Sequence, residues 1–317
     1  MSSVAIVMRT YERPLLLSRA LASVCQQTFG DWHLVVVNNG GDPRVVDDVV
    51  AIARLASPSA AVTVLHLTER VGMEEASNRG LAAVESEFFA IHDDDDTWRP
   101  GFLEVAVGTL RAHADASAVV TGVVRVHETF TNGRVWPVRN EKFHLTPERL
   151  TFDGMIGNNT FPPIAALFRR SLLDAVGWFD ASLPVLGDWE FNLRAVGAGP
   201  FVFVPQRLAN YHTRTADSDV ASGNSITVGQ ELHRTMKLQL QSRWDAEPGR
   251  DGLTKGELSR RESARLDAEE AARQEHESRA RTSGGAVAKA ARVVRALGRP
   301  GAASRGVVRR IRARVGR

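Results

Sequence analysis

The sequence predicts an α/β protein built on a doubly wound, mixed sheet, with a helical extension at its C-terminal end. Three observations predict it. Four short apolar runs, at residues 4–8, 34–37, 62–67 and 88–91, alternate with helical patterns through the first third of the chain. Such alternation puts helices on both faces of a largely parallel sheet. Polar clusters follow the second and fourth runs (Asn38, Asn39, Gly40 and Gly41; Asp93, Asp94, Asp95 and Asp96), at the carboxyl ends of strands where these sheets bind ligands. Finally, 317 residues with 43% apolar and 24% charged side chains are enough for a large core without staples.

The elements follow in order. Residues 4–8 are apolar and rich in β-branched side chains, a buried strand. Pro14 opens a helix, since its fixed φ and missing donor suit a first turn, and Leu17, Leu21 and Val24 recur on one face. The strand at 34–37 is closed by the turn residues 38–41. A helix at 45–55, a strand at 62–67, a helix at 73–84 and a strand at 88–91 come next, and Pro100 starts a helix towards His113. The second half is less regular. A strand is expected at 118–126, little order at 127–163, an apolar run at 164–168, helices at 170–176 and 187–195, a short strand at 201–204 and a closing helix at 231–244. Pro248, Gly249 and Gly252 mark a linker, a polar helix spans 253–282, and Ser283, Gly284 and Gly285 break it. The expected organisation is a domain at 1–245 with halves at 1–115 and 116–245, a linker and charged helix at 246–282, and a tail at 283–317.

Charge is unevenly spread. The net charge is +3, but residues 281–317 hold eleven Lys or Arg and no Asp or Glu, which leaves −8 for residues 1–280. The high pI therefore belongs to the tail and gives no reason to expect nucleic acid on the main domain. Val287, Ala290, Ala291, Val294 and Leu297, then Val307, Val308, Ile311 and Val315, recur at helical spacing among basic residues. That pattern suits a basic amphipathic helix on an anionic membrane, with a solvated tail as the alternative. Cys25 is the sole cysteine, so no internal disulfide forms and a reducing compartment is expected. The longest apolar runs fall far short of the ~20 residues that span a bilayer. With no charged leader before the first run, the expectation is a cytoplasmic protein, peripheral at the membrane's inner face if the tail attaches.

Four adjacent carboxylates at 93–96 repel one another unless a cation sits among them. Mg²⁺ or Mn²⁺ takes oxygen ligands and bridges carboxylates to phosphates. An acidic helix start is the bland alternative. Three further segments add to this: Arg9-Thr10-Tyr11-Glu12-Arg13-Pro14; Ser23-Val24-Cys25-Gln26-Gln27-Thr28-Phe29 with Asp31-Trp32 and the strand ending at Asn39; and Gly72-Met73-Glu74-Glu75-Ala76-Ser77-Asn78-Arg79-Gly80. Together with Asp93-Asp94-Asp95-Asp96-Thr97-Trp98-Arg99-Pro100, Gly177-Trp178-Phe179-Asp180 and Leu186-Gly187-Asp188-Trp189-Glu190-Phe191, they resemble the family-2 glycosyltransferases of the GT-A fold over residues 4–215.

The resemblance implies transfer of a sugar from a nucleoside diphosphate donor to an acceptor hydroxyl, with inversion. It places Thr10 and Tyr11 on the loop lining the base and Asn39 where an acid usually reads the base. Arg79 falls near the donor. Asp95 becomes the direct metal ligand, with Asp93 or Asp94 at the ribose or at metal-bound water. Asp188 falls at the position of the catalytic base. The departures are Asn39, whose neutral oxygen can still accept from the N3–H of a uracil or thymine, and Gly187, which stands where a second acceptor-side carboxylate is usual; Glu190 is the expected substitute. UDP or dTDP sugars are thus the favoured donors. His212 is a candidate third metal ligand, suited to Mn²⁺. Asn158 and Asn159 are candidate acceptor contacts. Trp136, Phe143, Phe152 and Phe161 are expected in the core, with sugar stacking as the alternative. The expected acceptor is a cell-surface glycan or a lipid-linked precursor. The rival readings are a catalytically inactive donor-binding scaffold and a sugar-nucleotide pyrophosphorylase, which needs a Gly-rich loop where Thr10 to Arg13 stand.

Overall fold

The computed structural model describes residues 2–131, 134–214 and 229–296, with side chains as far as residue 275. The chain divides into two compact units, Met1–Ser263 and Ala264–Arg317. The first holds the sheet. Strands β1 (Ser2–Thr10), β2 (Trp32–Asn39), β3 (Ala61–Leu67) and β4 (Ser86–Asp93) are parallel, in the order β3-β2-β1-β4. Helices α1 (Pro14–Cys25), α2 (Pro43–Ala56) and α3 (Met73–Ala82) connect them. The middle strands are covered on both faces: Val4, Ala5, Ile6, Val7 and Met8 are wholly buried, and so are Leu34, Val35, Val36 and Val37. That two-sided burial is why these runs are continuously apolar rather than alternating.

Beyond β4 the sheet turns mixed. After β5 (Thr97–Trp98) and α4 (Phe102–Ala112) come β6 (Ala118–Thr131), β7 (Arg134–Lys142), the single turn α5 (Phe152–Met155), β8 (Ala166–Arg169), α6 (Leu172–Val176), α7 (Gly187–Ala198) and β9 (Phe201–Arg214). The order continues β4-β8-β6-β9-β5, with β7 on β6. Two helices close the described chain, α8 (Gln230–Arg243) and α9 (Lys255–Ala296).

Four expectations need correction. Asn38 and Asn39 end β2 instead of leaving it; the Asn38 side chain builds the turn itself, accepting from the Gly41 N–H at 3.0 Å and donating to the Gly41 carbonyl at 2.8 Å. Gly40 takes φ +86°, with the Arg70 nitrogen only 2.7 Å from where a Cβ would stand. Residues 127–131 and 134–142, expected to show little regular pattern, pair antiparallel as the end of β6 and as β7. The strand at 201–204 is only the start of β9, which continues through Pro205 because the register with β6 shifts at Gly122, where a proline's missing donor costs no ladder bond. Ser283, Gly284 and Gly285 do not break the last helix, which runs through them; a glycine inside a helix costs only about 1 kcal/mol relative to alanine.

The linker at 246–254 is a closed turn. Gly249 donates to the Leu253 carbonyl at 3.0 Å, and the side chains of Thr254 and Glu257 cap the start of α9 reciprocally, at 3.1 and 2.7 Å. Leu258, Ser259 and Ser263 are buried, and the Ser263 hydroxyl donates to the Gly157 carbonyl at 2.7 Å, so the first turns of α9 belong to the first unit. Among the described residues, no helix is long and apolar enough to cross a membrane.

Candidate active site

Strand register assembles the site. Arg9, near the end of β1, lies between Val37 of β2 and Asp93 of β4. The four aspartates fan out from this strand end, and each has its own partner. Asp93 pairs with Arg9. Asp94 accepts from the Thr10 hydroxyl at 2.8 Å, with Arg13 at 3.5 Å. Asp95 pairs with Arg214, with Arg13 at 3.7 Å, and its carbonyl accepts from Arg19 at 2.5 Å. Asp96 accepts from the His212 N–H at 2.7 Å through one oxygen, while its other oxygen is buried without a hydrogen bond. Burial, with the neighbouring Asp95 charge, pushes the Asp94 carboxyl up to about 7 against the pull of Arg13 and Thr10. Burial and the neighbouring charges of Asp95 and Asp93 also raise Asp96 well above the usual carboxylate range.

The cations offsetting this acidic turn are Arg9, Arg13, Arg19 and Arg214. None of these four was expected there; the arginine that was expected near the donor, Arg79, sits on the outer face of α3, pairing with Glu75 at 2.8 Å. The four arginines lie at positions 9 to 19 and 214, so no local pattern groups them. Behind them Glu128 of β6 accepts from Arg19 at 2.6 Å and lies 3.3 Å from Arg214. Burial opposes its charge, but the His212 and Arg19 hydrogen bonds win and hold it below the usual carboxylate range. His212 uses both ring nitrogens here, Nδ1 at 2.6 Å from Glu128 and Nε2 at 2.9 Å from the Thr97 hydroxyl. The ring thereby joins β5, β6 and β9. His92 is wholly buried edge-on to Trp98, and burial pushes it down to about 4.

Tyr11 carries the Arg70 guanidinium 4.2 Å above its ring. The Asn39 amide is matched to the Val71 main chain, donating to its carbonyl at 2.9 Å and accepting from its N–H at 2.8 Å.

Asp188 sits in the first turn of α7. One carboxylate oxygen accepts from Asn159 at 2.6 Å and the other from the Trp189 N–H at 2.8 Å. Burial raises its carboxyl above the ordinary range against these two bonds, and it lies near enough to Arg9 and Asp93 to feel both charges. Trp189 anchors this turn, donating to the Met155 carbonyl at 2.7 Å and meeting Trp244 edge-on at 5.2 Å. Glu190 faces away into a fork made by Arg194, at 2.8 and 2.7 Å, and Arg194 in turn holds the carbonyls of Val176, Gly177 and Trp178. Asn158 is exposed beside Asn159.

The donor set decides how a divalent ion fits. Among the described residues, no three His, Cys, Asp or Glu side chains converge as a cage. Asp93, however, is the most open of the acids, with 30% of its side chain exposed against 6% and 9% for Asp94 and Asp95. Mg²⁺ and Mn²⁺ brought in by phosphates need only one or two carboxylates, so a nucleotide-borne ion fits at Asp93 with Asp95 behind it.

Residues 5–177, more than half of the chain, match Glycosyl transferase family 2. The uncharacterised glycosyltransferase YwdF of Bacillus subtilis (strain 168) is 30% identical over 230 residues, 71% of this chain and 78% of that protein. S. aureus TarS 1–349, solved in complex with UDP-GlcNAc, superposes with a TM-score of 0.55 at 18% identity, covering 75% of this chain and 66% of that one. The mannosyltransferase PcManGT from Pyrobaculum calidifontis, solved with GDP-Man and Mn²⁺, gives 0.51 at 18% identity, covering 76% and 61%. The match thus spans just under two thirds of either solved chain.

Proposed function

The chain belongs to glycosyltransferase family 2 and has its GT-A fold; from that premise we propose that it transfers a sugar, with inversion, from a UDP or dTDP donor to a hydroxyl of a glycan or lipid-linked acceptor, with Asp188 as the base. The observation that carries this reading is the buried Asp188 carboxylate, held by Asn159 and Trp189 and within electrostatic reach of Arg9 and Asp93 at the donor end of the sheet.

The nucleotide lies along the ends of β1 and β2, with Thr10, Tyr11 and Asn39 lining the base. Asp93 and Asp95 are the residues that would hold a divalent ion carried by the diphosphate, and such an ion would offset charge on the leaving phosphate. Arg9, Arg13 and Arg214 keep the acidic turn compact while that charge grows. Asp188 takes the acceptor hydroxyl proton on a carboxylate oxygen. The acceptor oxygen forms its bond to the anomeric carbon as the carbon–oxygen bond to phosphate breaks, and the nucleoside diphosphate leaves with that electron pair. One base on the far side of the sugar gives a single displacement, hence inversion. Asn159 orients the base, and Asn158 faces the acceptor.

The test is Asp188→Asn, which keeps the size of the side chain and an oxygen for the Trp189 N–H. The expected result is a ~10²–10⁴-fold loss of turnover with donor affinity nearly intact. EDTA is expected to weaken nucleoside diphosphate binding to wild type and much less to Asp93→Ala and Asp95→Ala. Full turnover in Asp188→Asn overturns the assignment of the base; EDTA-insensitive binding removes the ion.

A further inference from the structure

The acceptor-side carboxylate missing at Gly187 has a stand-in, and it is not Glu190, whose two oxygens are gripped by Arg194. A Cβ built on Gly187 would lie 2.4 Å from Cγ, 2.5 Å from Cδ and 2.6 Å from Oε1 of Glu74. The Glu74 carboxyl, reaching over from the first turn of α3, fills the space that a side chain at 187 would take. Only one of the two positions can carry a long side chain.

Glu74 is only 4% exposed, and its ion-pair partner Arg9 is at 3.8 Å. Arg9 simultaneously pairs with Asp93 and donates to the Ser77 hydroxyl at 3.1 Å. Arg9 thus stands between the donor-side acid and Glu74, next to the turn that carries Asp188. A buried carboxyl this loosely paired is a poor packing element, because a neutral side chain of the same shape avoids the desolvation cost. Burial pushes it up to about 7, against the pull of Arg9.

We infer that Glu74 is a positioning residue for Asp188, a second carboxyl supplied from α3 into the place of a side chain at Gly187, which holds Arg9 on the donor side and offsets its pull on the base. The inference rests on Asp188 being the base. Without the Glu74 charge, Arg9 is opposed by Asp93 alone, and the base weakens while the nucleotide site keeps its contacts.

The experiment compares wild type with Glu74→Gln, Glu74→Ala, Gly187→Glu, the combination of Glu74→Ala with Gly187→Glu, and Asp188→Asn. Nucleoside diphosphate release is followed with octyl glycosides as acceptors. The donor is whichever of UDP-GlcNAc, UDP-glucose, dTDP-glucose and GDP-mannose raises the Tm most. Glu74→Gln, close in shape and so able to fold, is expected to lower kcat ~10–100-fold with donor KM within about threefold. Gly187→Glu alone is expected to lower both Tm and kcat, since two side chains compete for one space. Combined with Glu74→Ala, the same substitution is expected to restore at least tenfold of the kcat lost by Glu74→Ala, which a merely structural role does not produce. Wild-type kcat in Glu74→Gln beside a dead Asp188→Asn overturns the role of Glu74 and leaves the base in place. A combined variant with wild-type Tm and no more activity than Glu74→Ala overturns it as well. An active Asp188→Asn overturns the base itself and, with it, this inference.

Discussion

Two buried side chains of the catalytic end titrate in opposite senses. Burial raises Glu74 from 4.5 to about 7, so between those values the folded state holds more protons than the unfolded one, and stability falls as pH rises. Burial lowers His92 from 6.5 to about 4, so the folded state holds fewer protons and stability rises over that window. The groups acting on Glu74 are Arg9, Asp188, Asp93 and Glu190. Glu74→Gln removes the Glu74 share of the falling limb and leaves the shares of Asp94, Asp96 and Asp188, whose carboxyls burial also raises. The stability of this variant relative to wild type is expected to increase from pH 4.5 to 7 and then level off, by up to about 3 kcal/mol at 1.36 kcal/mol per pH unit. Denaturant unfolding across pH checks it; a pH-independent difference contradicts it. At the same end of the sheet, on the last residue of β2, Asn39→Asp would strengthen an acceptor for a pyrimidine N3–H. It would also set a carboxylate against the Val71 carbonyl that the amide now donates to. The expected cost is ~1–3 kcal/mol of stability, read from the denaturant midpoint, whatever happens to donor affinity.

At the level of elements, α7 is set by aromatic packing behind it. Trp244 is fully buried edge-on to Trp189, with the Lys255 ammonium 4.6 Å from its ring. Trp244→Ala is expected to cost ~3–5 kcal/mol in denaturant unfolding and to lower kcat more than donor affinity, because the cavity opens beneath the turn that carries Asp188. In sequence, Gln241-Ser242-Arg243-Trp244 is similar to the Gln-x-x-Arg-Trp box of polysaccharide synthases but one residue short; here Gln241 donates to the Ser259 and Ser263 hydroxyls and Arg243 pairs with Asp180, so the segment fastens α8 to α9 and to the loop before α7. The four parallel strands were legible because burial on both faces makes them continuously apolar. Strand β7 was not, since nearly every residue in it is exposed, Trp136 included, and no face repeats. Phe161 joins the core as expected, and Phe143 and Phe152 pack against it. The acids of the site were legible because they cluster in sequence. The arginines and Glu128 were not, since only the folded sheet, with β1 beside β4, β9 beside β6 and α1 following β1, brings them to the end of β4. Gly187 was legible as a departure, but its filling by Glu74 depends on how α3 meets α7.

For the whole molecule, the question is what the basic C-terminal segment adds. The first unit ends at Ser263, and its last packed side chains lie in the opening turns of α9. A truncation after Ala280 therefore removes none of those contacts, and it is expected to keep the Tm of the full chain and its turnover on a soluble acceptor. It does remove all eleven basic residues of 281–317. The stripe at Val287, Ala290, Ala291 and Val294 falls within α9, whereas Leu297 and the second stripe at 307–315 lie outside the described residues. A helix this basic, with small apolar side chains at helical spacing, suits shallow seating on an anionic bilayer. Each basic residue near such a surface contributes up to ~1 kcal/mol, and salt screens it beyond a Debye length of about 10 Å at 0.1 M. The full chain is expected to co-sediment with liposomes in proportion to their anionic lipid content, to come off in high salt, and to lose this binding on truncation. Equal sedimentation of the two proteins contradicts membrane attachment. Binding abolished by nuclease assigns the segment to nucleic acid, and a truncated chain that fails to fold assigns it to the core of the molecule.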